Sequence, residues 1–163
     1  MKSPENIDKI LCDSEAFTLG LLLPQSKYAV WRYTEKSSFV KCLMIEIHNR
    51  GRNKIALKYE WENSSEYDGN PFDFQPSFSN TVLKPELWNE IQNAYSELSI
   101  TIPKILDISG RDGSTFSLMF GDNQQMVLFK WWSYYDDRLI PLVMLTSFWK
   151  EKLLGLDWTT DPL

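Results

Sequence analysis

The 163-residue chain contains seven Trp, seven Tyr and nine Phe, and 43% of its residues are hydrophobic. With 17 basic and 22 acidic residues its formal net charge is −5, a composition that excludes intrinsically disordered and collagen-like chains. The length predicts one globular domain spanning residues 1–163.

The first predicted elements are short. Ser3 and Pro4 suit the start of a helix, and the apolar residues that follow at helical spacing extend it to about Asp13. Residues 17–23 indicate a short strand closed by a proline, and residues 28–34 are rich in residues that favour strands.

The next segment predicts a β-hairpin. Residues 39–48 carry apolar side chains on both faces, which is typical of a central strand covered on both sides. A polar turn follows at 49–53, and residues 55–61 then alternate apolar and polar side chains. This alternation predicts a strand with one buried and one wet face.

Residues 63–83 mix turn formers with aromatic residues and predict a long loop. A helix is predicted from Pro85 to Leu98, because its apolar residues recur along one stripe and Pro85 suits the first turn.

The last part of the chain predicts three strands and a helix. Residues 105–109, 114–120 and 126–132 are the strands, and the Asp-Gly pair between the first two is a hairpin signal. In the closing helix, Asp136 or Asp137 is the predicted cap. Its predicted buried face is formed by Leu142, Leu145, Phe148 or Trp149, and Leu153.

Together these elements predict an α+β fold. We expect a mostly antiparallel sheet of about six strands, with two main amphipathic helices packed on it and a short N-terminal helix.

No catalytic signature is found in the sequence. The single histidine, His48, is predicted at a strand end near solvent, and the alternative is a general base. Six strand residues place it roughly 20 Å from Cys42, which excludes a nucleophilic pair. No phosphate-binding or nucleophile-elbow motif occurs. We therefore predict no catalytic residues, no metal site, no cofactor and no enzymatic activity.

Charge is distributed unevenly along the chain. Residues 24–59 contain eight Lys or Arg and two Asp or Glu, a balance of 8 − 2 = +6. Residues 60–99 contain one Lys and eight Asp or Glu, a balance of 1 − 8 = −7. Part of this polarity is expected to cancel by pairing within the fold, and the rest would steer a charged partner.

Two segments combine acidic with aromatic residues, a composition suited to protein contacts. The alternative is that the aromatic side chains cover the core. The predicted partner-binding residues are Tyr67, Asp68, Phe72, Asp73 and Phe74 in the long loop, and Tyr134, Tyr135 and Asp136 before the last helix.

Near the C-terminal end, residues 112–121 form an Asp-Gly turn followed by the strand Ser-Thr-Phe-Ser-Leu-Met-Phe-Gly. They are followed by Phe129-Lys130-Trp131-Trp132 and a helix that contains Pro141. This order resembles small bacterial α+β proteins, some of them immunity proteins of polymorphic toxin systems. The resemblance covers about a quarter of the chain and implies a bacterial binding protein.

The sequence thus favours a cytoplasmic protein-binding domain, and specifically an immunity protein that neutralises a toxin by direct binding. A basic toxin domain is the expected partner, with no nucleic acid and no membrane. One alternative is an acidic secretion chaperone or adaptor, normally a dimer with exposed apolar patches. Another is a small-molecule-binding protein or a carboxylate-based enzyme. The oligomeric state stays open.

Overall fold

A computed structural model describes residues 29–37, 41–50, 52–62, 77–99, 113–121, 126–133 and 137–161. Their elements form a six-stranded antiparallel sheet and two helices, which confirms the α+β class. The predicted N-terminal helix and the predicted strands at 17–23 and 105–109 lie outside the described residues. The elements are β1 (Ala29–Ser37), β2 (Lys41–Arg50), β3 (Asn53–Glu62), β4 (Ser77–Leu83), α1 (Pro85–Ser96), β5 (Ser114–Gly121), β6 (Met126–Trp132) and α2 (Ile140–Leu154).

The strand order is β4-β3-β2-β1-β5-β6, so β2 and β1 lie at the centre of the sheet. The predicted hairpin is confirmed, with Cys42 opposite Trp61 and Arg50 opposite Asn53. The expectation that β2 is a central strand is also confirmed.

The two faces of the sheet differ in their packing. Because side chains alternate along a strand, the register places Trp31, Ile47 and Leu118 on one face, which we call the helix face. These residues form the main hydrophobic core with Trp88 and Ile91 of α1 and with residues of α2. Arg32 and Glu46 lie on the opposite face, which we call the second face. The residues of α2 in this core are Leu142, Trp149 and Leu153.

The two helices lie side by side and run in opposite directions. The Tyr95 hydroxyl of α1 donates to Thr146 Oγ1 of α2 at 3.3 Å, and Lys152 Nζ donates to Glu90 Oε2 at 3.3 Å. Residue numbers therefore rise in opposite directions along the two helices, since Tyr95 of α1 contacts Thr146 of α2 and the earlier residue Glu90 contacts the later residue Lys152.

Strand β4 corrects the prediction of a loop over residues 63–83, because residues 77–83 pair with β3. The pattern of apolar and polar residues did not predict this strand, because the polar Asn80 is fully buried whereas the apolar Phe78 and Val82 are exposed. On its other edge, the backbone of Asn80 exchanges two hydrogen bonds with that of Thr159, at 2.8 and 2.9 Å. The tail that follows α2 is thus tied to β4 at this point.

The start of α2 also differs from expectation. Asp137 begins a short 3-10 segment that ends at Leu139, and Leu139 occupies the N-cap with no side-chain hydrogen bond. Capping by Asp137 is therefore wrong, and Asp136 lies outside the described residues. Pro141 lies in the first turn of α2.

Candidate functional sites

All eight predicted contact residues lie outside the part of the chain that the structure describes. These are Tyr67, Asp68, Phe72, Asp73, Phe74, Tyr134, Tyr135 and Asp136. Two described features follow these segments directly along the chain. Phe78 of β4 follows the first, and α2 follows the second.

The strongest concentration of charge in the described core is a cluster of Arg32, Glu46 and His48 on the second face. Arg32 Nε donates to Glu46 Oε1 at 2.6 Å, and His48 Nε2 lies 3.0 Å from Glu46 Oε2. The three residues are only 2%, 0% and 7% exposed, respectively. The prediction that His48 lies near solvent is therefore wrong, because its side chain turns onto a buried face and bonds to a carboxylate.

In this cluster each oxygen of the Glu46 carboxylate has a partner. An ionised carboxylate accepts hydrogen bonds only, so in the Glu46 bond Nε2 of His48 is the donor. The arrangement compensates a charge that would otherwise be costly to bury. It also affects Tyr59 on the same face, whose pKa is raised first by burial and then by the Glu46 charge, with Arg32 opposing.

Cys42 and His48, the cysteine and the histidine among the described residues, do not form a nucleophilic pair. Cys42 is buried, and its thiol lies 3.7 Å from the carbonyl oxygen of Ser37. The unbroken register from Cys42 to His48 keeps the two residues at opposite ends of β2. Across the seven described ranges, no group of three or more His, Cys, Asp or Glu residues is placed to hold a metal ion.

The clearest surface feature is an apolar stripe on α2, formed by Ile140, Met144 and Phe148. These side chains are 38%, 67% and 52% exposed, and their spacing of four residues places them along one side of the helix. The opposite side supplies buried residues to the core. The sequence placed either Phe148 or Trp149 on the buried face of this helix, and the structure assigns that position to Trp149.

The ring of Phe148 is held in a defined position. It meets the Trp149 ring edge-to-face, with centroids 5.0 Å apart. Lys152 Nζ lies 5.1 Å from the centroid of Phe148 and 5.0 Å from that of Trp149. An exposed aromatic ring that is already fixed loses little conformational freedom when a partner covers it.

The outer side of α1 provides a contrast. Glu86, Asn89, Glu90, Asn93 and Glu97 are all exposed there, as expected for a helix that faces water. Two neighbouring helices on one sheet face thus differ in the chemistry of their outer sides. The sequence did not predict this difference. Apolar residues occur on all sides of α2, so their pattern does not mark which of them are exposed.

Comparison with known proteins gives no further guide to these surfaces. No protein-family model, no curated protein and no solved structure matches the chain. Within the described residues, neither helix has the length and apolar character needed to cross a membrane.

Proposed function

We propose that this chain is a non-enzymatic protein-binding domain and, in its most concrete form, an immunity protein that neutralises a toxin by direct binding. The observation that carries the proposal is the apolar stripe on α2. Three large apolar side chains on the outer side of a helix whose inner side is already buried are typical of a surface that another protein covers.

The charge of the chain indicates the kind of partner. Residues 60–99 have the balance of −7 derived above, and of their acids Glu60 forms an ion pair with Lys58 at 3.3 Å. On α1, Glu86 and Glu97 are exposed. An acidic surface beside an apolar one favours a basic protein and speeds its association at low salt.

The test is affinity purification of the tagged chain from its host, in three forms. The wild type is compared with a Met144→Gln/Phe148→Gln variant, which removes the apolar stripe but keeps good helix formers. The control is Val82→Thr, which makes the same kind of change at an exposed site on β4. We expect one stoichiometric partner with the wild type and the control, and its loss with the double variant.

The captured partner is then expressed alone and together with the chain. An immunity protein requires that the partner alone arrests growth and that co-expression restores it. A harmless partner would reject the immunity role and leave a binding role. Capture that is unchanged by the double variant would remove α2 from the interface.

A second candidate is the secretion chaperone or adaptor, which is favoured by the same exposed apolar side chains. It differs in requiring a dimer. A monomeric mass in solution, measured by light scattering over a range of concentrations, would reject this second candidate and leave the first unaffected.

A further inference from the structure

The tail that follows α2, residues 156–161, is anchored on the helix face before it reaches β4. Trp158 Nε1 donates to the carbonyl oxygen of Leu153 at 3.1 Å, and Lys58 Nζ of β3 lies 5.3 Å from the centroid of the Trp158 ring. Lys58 is opposite Ile45, a residue of the main core, in the strand register. The indole therefore fixes the start of the tail on the helix side of the sheet.

The tail then crosses the outer edge of β4 at Asn80. The amide of Asn80 donates to the carbonyl oxygen of Thr159 at 2.8 Å, and the amide of Thr159 donates to the carbonyl oxygen of Asn80 at 2.9 Å. The side chain of Asn80 lies on the second face, where its Nδ2 donates to the carbonyl oxygen of Asp161 at 2.8 Å. The tail thus wraps around the strand edge from the helix face to the second face.

The stretches of β4 on either side of this crossing are apolar. Phe78 and Val82 lie two residues before and after Asn80, with side chains 38% and 54% exposed. Since the N–H and C=O of Asn80 point outward to the tail, those of Phe78 and Val82 point outward as well. No charged residue and no proline occurs between Ser77 and Leu83, although such residues are the usual protection of an edge strand. Within the described part of the chain, the tail is what covers this edge.

From this geometry we propose that the tail is an edge guard, which keeps β4 from pairing with β4 of a second copy of the chain. When the tail is released, the two strands join antiparallel about a two-fold axis at Asn80 and form one continuous sheet. The tail already shows that the outer edge accepts an antiparallel strand at this residue. The inference goes beyond the proposed function, because it concerns a sheet edge and not the apolar stripe of α2.

A second copy fits this edge better than an unrelated strand. Pairing about Asn80 places Phe78 of one copy opposite Val82 of the other, and aromatic and β-branched side chains form favourable cross-strand pairs. It brings no like charges together, because β4 is uncharged. An unrelated strand would find no charge on β4 to select it.

The first experiment changes the tail at Thr159, whose side chain is exposed. Thr159→Pro removes the N–H that donates to Asn80, whereas Thr159→Val keeps it and is the matched control. Mass in solution is measured by light scattering over a range of concentrations. We expect the Thr159→Pro variant to reach twice the mass of the wild type and to dissociate on dilution, and the control to match the wild type.

A lysine on each edge strand then identifies the pairing edge. Val82 of β4 and Val127 of β6 are both exposed, at 54% and 44%, and β6 is the opposite edge of the sheet. Adding Val82→Lys to Thr159→Pro should restore the mass of the wild type, because it places like charges on the two paired edges. Adding Val127→Lys should leave the mass doubled. A doubled mass that survives Val82→Lys, or a species larger than twice the wild type, would overturn the inference.

A second variant and a second measurement guard against misfolding of the proline variant. Trp158→Ala removes the indole anchor and leaves the backbone of Thr159 intact, and it should raise the association constant at least tenfold. Hydrogen exchange of the Asn80 amide at low concentration reports release of the tail, and the amide should exchange faster in both variants. Release without a change in mass would overturn the inference, as would an Asn80 amide that stays as protected as in the wild type.

Discussion

Arg32 and Glu46 lie opposite each other on the two central strands, with Arg32 Nε 2.6 Å from Glu46 Oε1 and both side chains out of contact with water. Such a pair stabilises little relative to apolar residues of similar volume, because both charges lose their hydration. Breaking the pair is nevertheless costly, because the remaining charge stays buried. This asymmetry makes the pair testable by substitution.

The first prediction is a double-mutant cycle on this pair. Arg32→Met should lower the free energy of unfolding by about 3–5 kcal/mol, because it removes the guanidinium that compensates the buried Glu46 carboxylate. Glu46→Leu alone should be comparably costly. The double variant should lose much less free energy of unfolding than the two single variants lose together, as measured by urea unfolding. Additive losses would contradict the view that the two charges depend on each other.

The second prediction concerns alkaline unfolding. Burial raises the pKa of Tyr33, Tyr59 and Tyr95, and the charges of Glu35 and Glu46 raise the first two further. A tyrosine whose pKa is higher in the folded than in the unfolded state stabilises fully below pH about 10 and loses this contribution at about 1.4 kcal/mol per pH unit above it. Stability should therefore fall steeply above pH 10.

Tyr59→Phe removes one of these three groups. Above pH 10 the variant should lose stability about one third less steeply with pH than the wild type, whereas below pH 9 the two curves should run parallel. Urea unfolding followed by circular dichroism at several pH values gives both curves. Identical curves above pH 10 would show that Tyr59 stays protonated in both states or ionises equally in both.

The third prediction compares two apolar residues on the two helices. Ile91 of α1 is buried and Met144 of α2 is largely exposed. Ile91→Ala should cost about 2–5 kcal/mol, because it leaves a cavity in the core. Met144→Ala should change stability by less than about 0.5 kcal/mol. Thermal unfolding measures both, and a large loss for Met144→Ala would mean that its side chain stabilises the fold.

The fourth prediction compares two glycines. Gly113 has a φ of +146°, and a Cβ there would lie 2.4 Å from Cζ2 of Trp132. Gly155, at the end of α2, has a φ of −77°, and its Cβ would meet only carbonyl oxygens at 3.6 Å. Gly113→Ala should therefore destabilise by more than about 1 kcal/mol, whereas Gly155→Ala should be neutral or slightly stabilising. Equal changes in stability for the two variants would contradict this prediction.

Local patterns predicted the strands at the centre of the fold, but they predicted burial on only one face of β3. Ile55, Leu57 and Tyr59 are buried as expected, whereas Ala56, on the face predicted to be wet, is fully buried in the core that the helices cover. Strand β4 escaped prediction because its most buried residue is Asn80, whose side-chain nitrogen donates to the backbone of Asp161 at 2.8 Å. A long-range bond of this kind leaves no trace in local sequence.

The candidate sites were harder to predict than the fold. Glu46 stands among apolar residues of β2, which was a visible signal of an unusual position. Its partner Arg32 lies on a different strand, however, and the register that brings them together depends on the whole sheet. The role of Phe148 depended on which of two adjacent aromatic residues faces the core, and a helical pattern that is apolar on all sides leaves that choice open.

The link between Asn80 and the tail bears on how the protein is made. The amide of Asn80 bonds to a residue 81 positions further along the chain, and its backbone pairs with Thr159. During synthesis, β4 can pair with β3 long before its outer edge is closed, since ribosomes add about 5–20 residues per second. For several seconds the nascent chain therefore presents an open sheet edge at β4.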